Sequence, residues 1–220
     1  MPLNDRPSTA SQPVVDHTAA RAGLRTARGL LGLLDLVAIG WQLELHTGAA
    51  HDTVQFFSYF TILSNLCAAL VLLTGTLRIP ISGRAWDLTR LVAATNMVVV
   101  ALVYQVLLSA DDTGSLRPWI NFVLHYFMPV AVAVEWLLAP PRTPLSFRAG
   151  SLVLPFPLAY LAYSLIRGAA TGWYPYPFID PTGPGGYGGV SAYAAGIALL
   201  FLVVGWGFRA VGNWRRRHQA

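Results

Sequence analysis

Residues 56–66 read FFSYFTILSNL. Seven of these eleven side chains are aromatic or aliphatic, yet Ser58, Thr61, Ser64 and Asn65 sit among them. Hydrocarbon offers no water to an unpaired hydroxyl or amide, so polar groups in such a segment need partners inside the protein. Their spacing is ordered. Ser58, Thr61 and Asn65 stand at i, i+3 and i+7, with Ser64 at i+6, which places them on one face of a helix.

The rest of the chain makes a membrane setting the natural one. Of 220 residues 55% are hydrophobic and 11% charged, and the mean hydropathy is +0.51. A soluble domain carries about 25% charged residues. The length suits one compact bundle. Cys67 is the only cysteine, so no intrachain disulfide framework exists. Residues 1–23 are polar and Pro/Ser-rich near their start and lack the apolar core of a signal peptide, which predicts a disordered tail.

A helical span needs about 20 mainly apolar residues. Six stretches meet that requirement: 27–45, 54–75, 90–109, 118–138, 149–166 and 190–209. They predict an all-α six-transmembrane bundle over residues 24–212, followed by a short basic tail at 213–220. The connections are rich in turn formers, and GPGGYGG (183–189) reads as a flexible connection. All fifteen basic residues are arginine. Thirteen lie before or at the start of the first span, in or at the edge of the second and fourth connections, or at and beyond the end of the last span; Arg117 and Arg167 lie on the opposite side. The first and third connections carry Asp52, Asp111 and Asp112 instead. The positive-inside rule then puts both termini in the cytoplasm of a plasma-membrane protein. The terminal WRRRHQA reads as an anchor that also attracts anionic lipid. Without a basic domain interleaved with aromatic residues, nucleic acid is not an expected partner.

This orientation sets depth. Thr61 lies seven residues into the second span and His125 seven into the fourth, and both spans run inwards from the outer face. At 1.5 Å per residue each is about 10 Å below the outer boundary. Asn121 and His125 are four apart and share a face. Gln42, Glu44, Tyr104 and Gln105 add polar groups near the outer ends of the first and third spans. A polar pocket in the outer half of the bundle is the expectation. Each polar residue also has a plain structural reading: Ser and Thr bond their own i−4 carbonyl, and Asn joins helices. An intramembrane histidine is a functional candidate by default. Asp35 and Glu135 lie nearer the cytoplasmic half, where an arginine or an interhelical donor would pair with each.

The residue types allow one further step. A hydroxyl nucleophile needs a nearby base, and a developing oxyanion needs donors. Thr61, His125, and the amides of Asn65 or Asn121 meet those needs on paper. Other chemistries lack parts. A b-type haem needs two histidines at matched depth, and His125 alone lies within a span. His46, His51 and Asp52 could approach a metal, but nothing else converges there. No phosphate loop and no transporter repeat is visible. No cofactor is expected.

FFSYFTILSNL, RPWINFVLHYFMPVAVAVEW (117–136) and TGWYPYPFIDPTGPGGY (171–187) together resemble, in the same order, the bacterial predicted six-pass integral membrane protein family. They are also similar to the related eukaryotic androgen-induced gene 1 and androgen-dependent TFPI-regulating proteins. Those eukaryotic members hydrolyse fatty acid esters of hydroxy fatty acids with an intramembrane threonine and histidine. The resemblance implies that Thr61, in Tyr-Phe-Thr, and His125, in Trp-Ile-Asn-x-x-x-His, are the catalytic pair. Glu135 and the run Trp173–Pro177 also match the pattern.

Three readings follow. In the first, the protein hydrolyses a lipid ester through Thr61 and His125, with Ser58, Ser64, Asn65, Asn121, Gln105, Trp173 and Tyr174 binding substrate or supporting the site. Substrate would enter from the outer leaflet beneath the aromatic loop. In the second, the same pocket binds a lipid or partner without turnover. In the third, Asp35 and Glu135 couple protons to transport.

Overall fold

The computed structural model describes residues 17–49, 52–77, 83–110 and 117–218. Expectations for residues 1–16, Arg78, His51, Asp111 and Asp112 lie outside the described residues. Within the described residues the protein is helical, with no strand.

Helix α1 (His17–Gly48) begins inside the expected tail. The reason is local: TAARAGLRTAR is rich in Ala and Arg, which favour helix whether or not lipid surrounds them. Its inward stripe includes Arg28, Gly32, Asp35, Ala38, Ile39 and Gln42, close to a period of 3.6. Gly32 allows close approach to the third helix, because a Cβ there would stand 2.7 Å from Leu73 Cγ.

The expected second span, 54–75, is two helices. α2 (Thr53–Phe57) is capped by Asp52, whose carboxylate accepts from the Val54 N–H at 3.0 Å. The chain then turns at Ser58 and Tyr59, Tyr59 being extended, and resumes as α3 (Phe60–Thr76). Side chains satisfy this break inside the bundle. The Tyr160 hydroxyl donates to the Ser58 carbonyl at 2.9 Å, and the Ser58 hydroxyl bonds the Val54 carbonyl at 2.6 Å and the Tyr163 hydroxyl at 2.8 Å.

α4 (Arg84–Val103) is the central helix, packed against α1's partner α3, against α6 and against α9. It runs without interruption into a π-helical turn at Tyr104–Leu108. The fourth stretch follows α5 (Pro118–Phe122), a second π-helical turn at Val123–Phe127 and α6 (Met128–Leu138). The expected fifth span is interrupted: α7 (Phe147–Ser151) ends before Leu152–Leu154, and α8 (Pro155–Thr171) starts on a proline, which fits a first helical turn. The last helix, α9 (Gly186–Arg217), absorbs much of the segment expected to be a flexible connection. Gly185, with φ of 96°, makes the turn into it.

Among the described residues four helical stretches are long and apolar enough to cross a membrane: Arg84–Leu108, Pro118–Leu138, Phe147–Thr171 and Gly186–Arg217. α3 is apolar but has 17 residues, and α1 mixes Asp35, Gln42 and Glu44 into its apolar residues. One end of the bundle is closed by charge. Glu135 is gripped by the Arg28 guanidinium and by Arg90 Nη2 at 2.9 Å, and Arg90 also donates to the Ala139 carbonyl at 2.6 Å. This is the arginine pairing expected for Glu135. Asp35 differs: it is fully buried, and among the described residues neither carboxyl oxygen has a hydrogen-bond partner.

Candidate functional site

The break before α3 determines the setting of Thr61. As the second residue of α3 it lies in the first turn, where backbone N–H groups have no carbonyl within the helix to bond. The Thr61 N–H donates instead to the Tyr176 hydroxyl at 3.3 Å. A helix beginning here also directs its positive dipole end at the Thr61 hydroxyl. The Thr61 carbonyl accepts from Asn65 Nδ2 at 2.8 Å, and the same amide reaches the Leu124 carbonyl at 3.3 Å. Asn65 thereby joins α3 to the second π turn.

That π turn carries His125. Its Nε2 lies 3.4 Å from Thr61 Oγ1, and its Nδ1 lies 2.6 Å from Asn121 Oδ1. Asn121 Nδ2 donates onward to the Tyr104 hydroxyl at 2.7 Å, which turns the amide oxygen towards the imidazole. With Nδ1–H donating to that oxygen, Nε2 keeps its lone pair towards Thr61, the tautomer that a general base requires. The Tyr104 ring stacks on the imidazole with centroids 3.9 Å apart. Tyr104 opens the first π turn, so both π turns contribute to this one cluster. Such turns shift a side chain off the regular helical face and are frequent at functional sites.

Thr61 and Tyr104 line a cavity of about 90 Å³ whose walls are otherwise almost all apolar, with Phe60, Leu161, Ile179 and Phe201 among them. Tyr176 also lines it, from the loop between α8 and α9. His125 stands behind this wall, 5% exposed. Burial pushes the Tyr176 phenol above its ordinary value, and the hydrogen bonds with Thr61 partly offset this. Tyr176 therefore remains a protonated donor through neutral and moderately alkaline pH. Its oxygen is 3.5 Å from Thr61 Oγ1.

The other sequence candidates take different places. Ser58 is fully buried and bonds across the helix break. Ser64 is fully buried on α3, with no partner for its hydroxyl among the described residues. Asn65 and Asn121 direct their amide N–H groups at carbonyl and hydroxyl oxygens, so Asn121 orients the imidazole. Gln105 is exposed and accepts from the Tyr126 hydroxyl at 2.9 Å. Trp173 packs edge-on against Tyr59 and beneath the Arg167 guanidinium, and Tyr174 lies on Gly168 of α8. Neither borders the cavity.

Two residues of the cluster stand beside the neighbours expected to support the site: Tyr104 is expected only as a polar group of the third span, and Tyr176 only within the run Trp173–Pro177. Tyr176 stands two places from Tyr174, and Tyr104 one place from Gln105. Nothing in the sequence tells which ring of the loop turns towards Thr61, and nothing signals a π turn. Among the described residues no three His, Cys, Asp or Glu side chains gather as a metal site. His46 and Asp52 instead meet each other through the Asp52 carbonyl, 3.1 Å from His46 Nε2. Comparisons with protein-family models, curated proteins and solved structures find no match to this chain.

Proposed function

We propose that the protein is an intramembrane hydrolase of lipid esters, with Thr61 as nucleophile and His125 as base. The observation that carries this reading is the chain Thr61–His125–Asn121, at 3.4 and 2.6 Å, which starts in the lining of an apolar cavity and runs back from it. The first contact is long for proton transfer, as such contacts often are before substrate closes the site. The motif resemblance supports the same pair.

In this reading Thr61 Oγ attacks the ester carbonyl while its proton passes to His125 Nε2. The Asn121 oxygen holds the imidazolium by Nδ1–H. Negative charge grows on the former carbonyl oxygen beside the first turn of α3, where the Thr61 N–H and the Tyr176 hydroxyl are the available donors. Collapse breaks the ester C–O bond, and His125 returns the proton to the leaving alcohol. Water then repeats the sequence on the acyl-threonine, releasing the fatty acid and restoring Thr61.

The membrane arrangement belongs to the same proposal. α1 and the α2–α3 pair add two crossings to the four long apolar stretches, giving six, with both termini in the cytoplasm of the plasma membrane by the arginine distribution. A reporter fused after Ala220 is expected on the cytoplasmic side, and its detection outside the cell would reverse the orientation. The transport reading loses one of its two carriers, because Glu135 is held between two arginines.

The decisive test uses purified protein and fatty acid esters of hydroxy fatty acids. Thr61→Ala and His125→Ala are each expected to cut turnover by on the order of 10²–10⁴ with the fold retained. A fluorophosphonate probe is expected to label wild type and to miss Thr61→Ala. Full turnover in either variant removes that residue from the mechanism. A wild type with no turnover and no labelling leaves the pocket as a binding site.

A further inference from the structure

A second feature lies beside the cavity. A groove of about 490 Å³ runs along the molecule between the outer end of α4, including its π turn, and the first half of α9. Its lining has no charged side chain, and Tyr193 is its one polar member. Val103 and Ile197 line both the groove and the cavity that contains Thr61, so these two side chains are the partition between the two spaces. Ala192 and Gly196, one helical turn apart on α9, keep the groove deep. A Cβ added at Gly196 would meet nothing within 4 Å. Opposite, Val106 projects from the π turn with 77% of its surface exposed. Both walls belong to the two most apolar long stretches, with mean hydropathies of 2.2 and 1.9.

We infer that this groove is the entry and seat of a substrate acyl chain, which passes between Val103 and Ile197 to bring its ester to Thr61. The inference rests on the ester-hydrolase reading, because that reading gives the chain's polar end its destination. A small-residue track such as Ala192–Gly196 also suits a helix from a second copy. The continuation inwards decides between them. A helix is about 10 Å across with its side chains, whereas the cavity beyond Val103 and Ile197 is about 90 Å³. A polymethylene chain can bend into that space and a helix cannot. The apolar lining offers nothing to pair with a charged ligand's head group, so the buried part of the ligand is hydrocarbon.

The test reads occupancy and turnover separately. Full-length protein in liposomes is photolabelled with a long-chain fatty acid bearing a diazirine near its methyl end, and the sites are mapped by mass spectrometry. Labelling is expected to concentrate on the α4 and α9 segments around Val103 and Ile197. Gly196→Phe, which fills open space, is expected to reduce it by about tenfold, corresponding to about 1.4 kcal/mol of lost binding. Val106→Trp, which covers the groove from its exposed rim, is expected to act in the same direction. Labelling at the lipid-facing Leu70 and Val130 should not change. In parallel, Gly196→Phe should lose hydrolysis of long-chain esters while still cleaving a short water-soluble ester. Even labelling of all lipid-facing residues, or unchanged labelling in both variants, overturns the inference. So does conversion of a wild-type dimer to monomer by Gly196→Phe, which identifies a second copy as the occupant. If wild type labels in the groove but cleaves no ester, the hydrolase reading fails and the acyl site stands.

Discussion

Single side chains at this site are defined by which atoms they have left to offer. Thr61 has a backbone N–H without a helical acceptor and a hydroxyl 3.4 Å from an imidazole nitrogen. Tyr176 meets both, and its role is separable. Tyr176→Phe removes one donor near the developing oxyanion, and its kcat is expected to fall by on the order of 10²–10³ with little change in KM. Stability gives an independent reading. The phenol's folded pKa is raised above the ordinary 10.0 by burial. The folded protein therefore holds this proton more tightly than the unfolded chain, and stability falls as pH rises above 10.0 towards the folded value. Thermal melting followed through that range should fall less steeply for Tyr176→Phe than for wild type. The approach of Thr61 to His125 was legible in the sequence, because counting along two stretches expected to run the same way put both at the same level. The partnership with Tyr176 was not, because loop 172–185 has no periodicity to say which of its rings turns inwards.

The elements that build the site are all irregular. One helix is broken at Ser58–Tyr59, two helices carry π turns, and a loop folds back over α8. In lipid such departures survive only where other side chains satisfy the freed backbone, and Tyr160 and Tyr163 of α8 do this at the break. The loop is seated by close packing. A Cβ at Gly168 would stand 2.0 Å from the Tyr174 ring. Gly168→Ala must displace that ring and, two residues on, Tyr176. Overpacking of this kind costs about 1–3 kcal/mol, so a lowered melting temperature and reduced turnover are expected together. Unchanged turnover would separate the loop from the chemistry. Hydropathy located these segments but could not show their breaks, since it averages over a window longer than the irregularity.

Across the whole molecule, α4 connects a polar cluster at one end of the bundle to a charged one at the other. Tyr104 at one end stacks on His125, and Arg90 near the other holds Glu135. Two carboxyls test what burial means in this bundle. Glu135→Gln would leave the Arg28 and Arg90 charges without their carboxylate, a loss of about 3–5 kcal/mol for a buried pair. Asp35 has no hydrogen-bond partner among the described residues, so Asp35→Leu removes a buried unsatisfied carboxyl and is expected to leave the melting temperature unchanged or raise it. Melting of the two variants beside wild type checks both signs, and a large loss with Asp35→Leu would show that the carboxyl stabilises the bundle.

By itself the sequence determined an apolar helical protein, four of its six expected spans as segments with the length and hydropathy to cross a membrane, and Thr61 and His125 as residues to bring together. These follow from composition and from rise per residue, which need no knowledge of neighbours. Tertiary structure alone decided that FFSYFTILSNL is a turn and a fresh helix start, because the groups that stabilise the break come from α8, about a hundred residues away in the chain. It decided equally that Asn121 orients the imidazole and that Tyr176 meets Thr61, since a side chain's hydrogen-bond partners depend on which helices pack together.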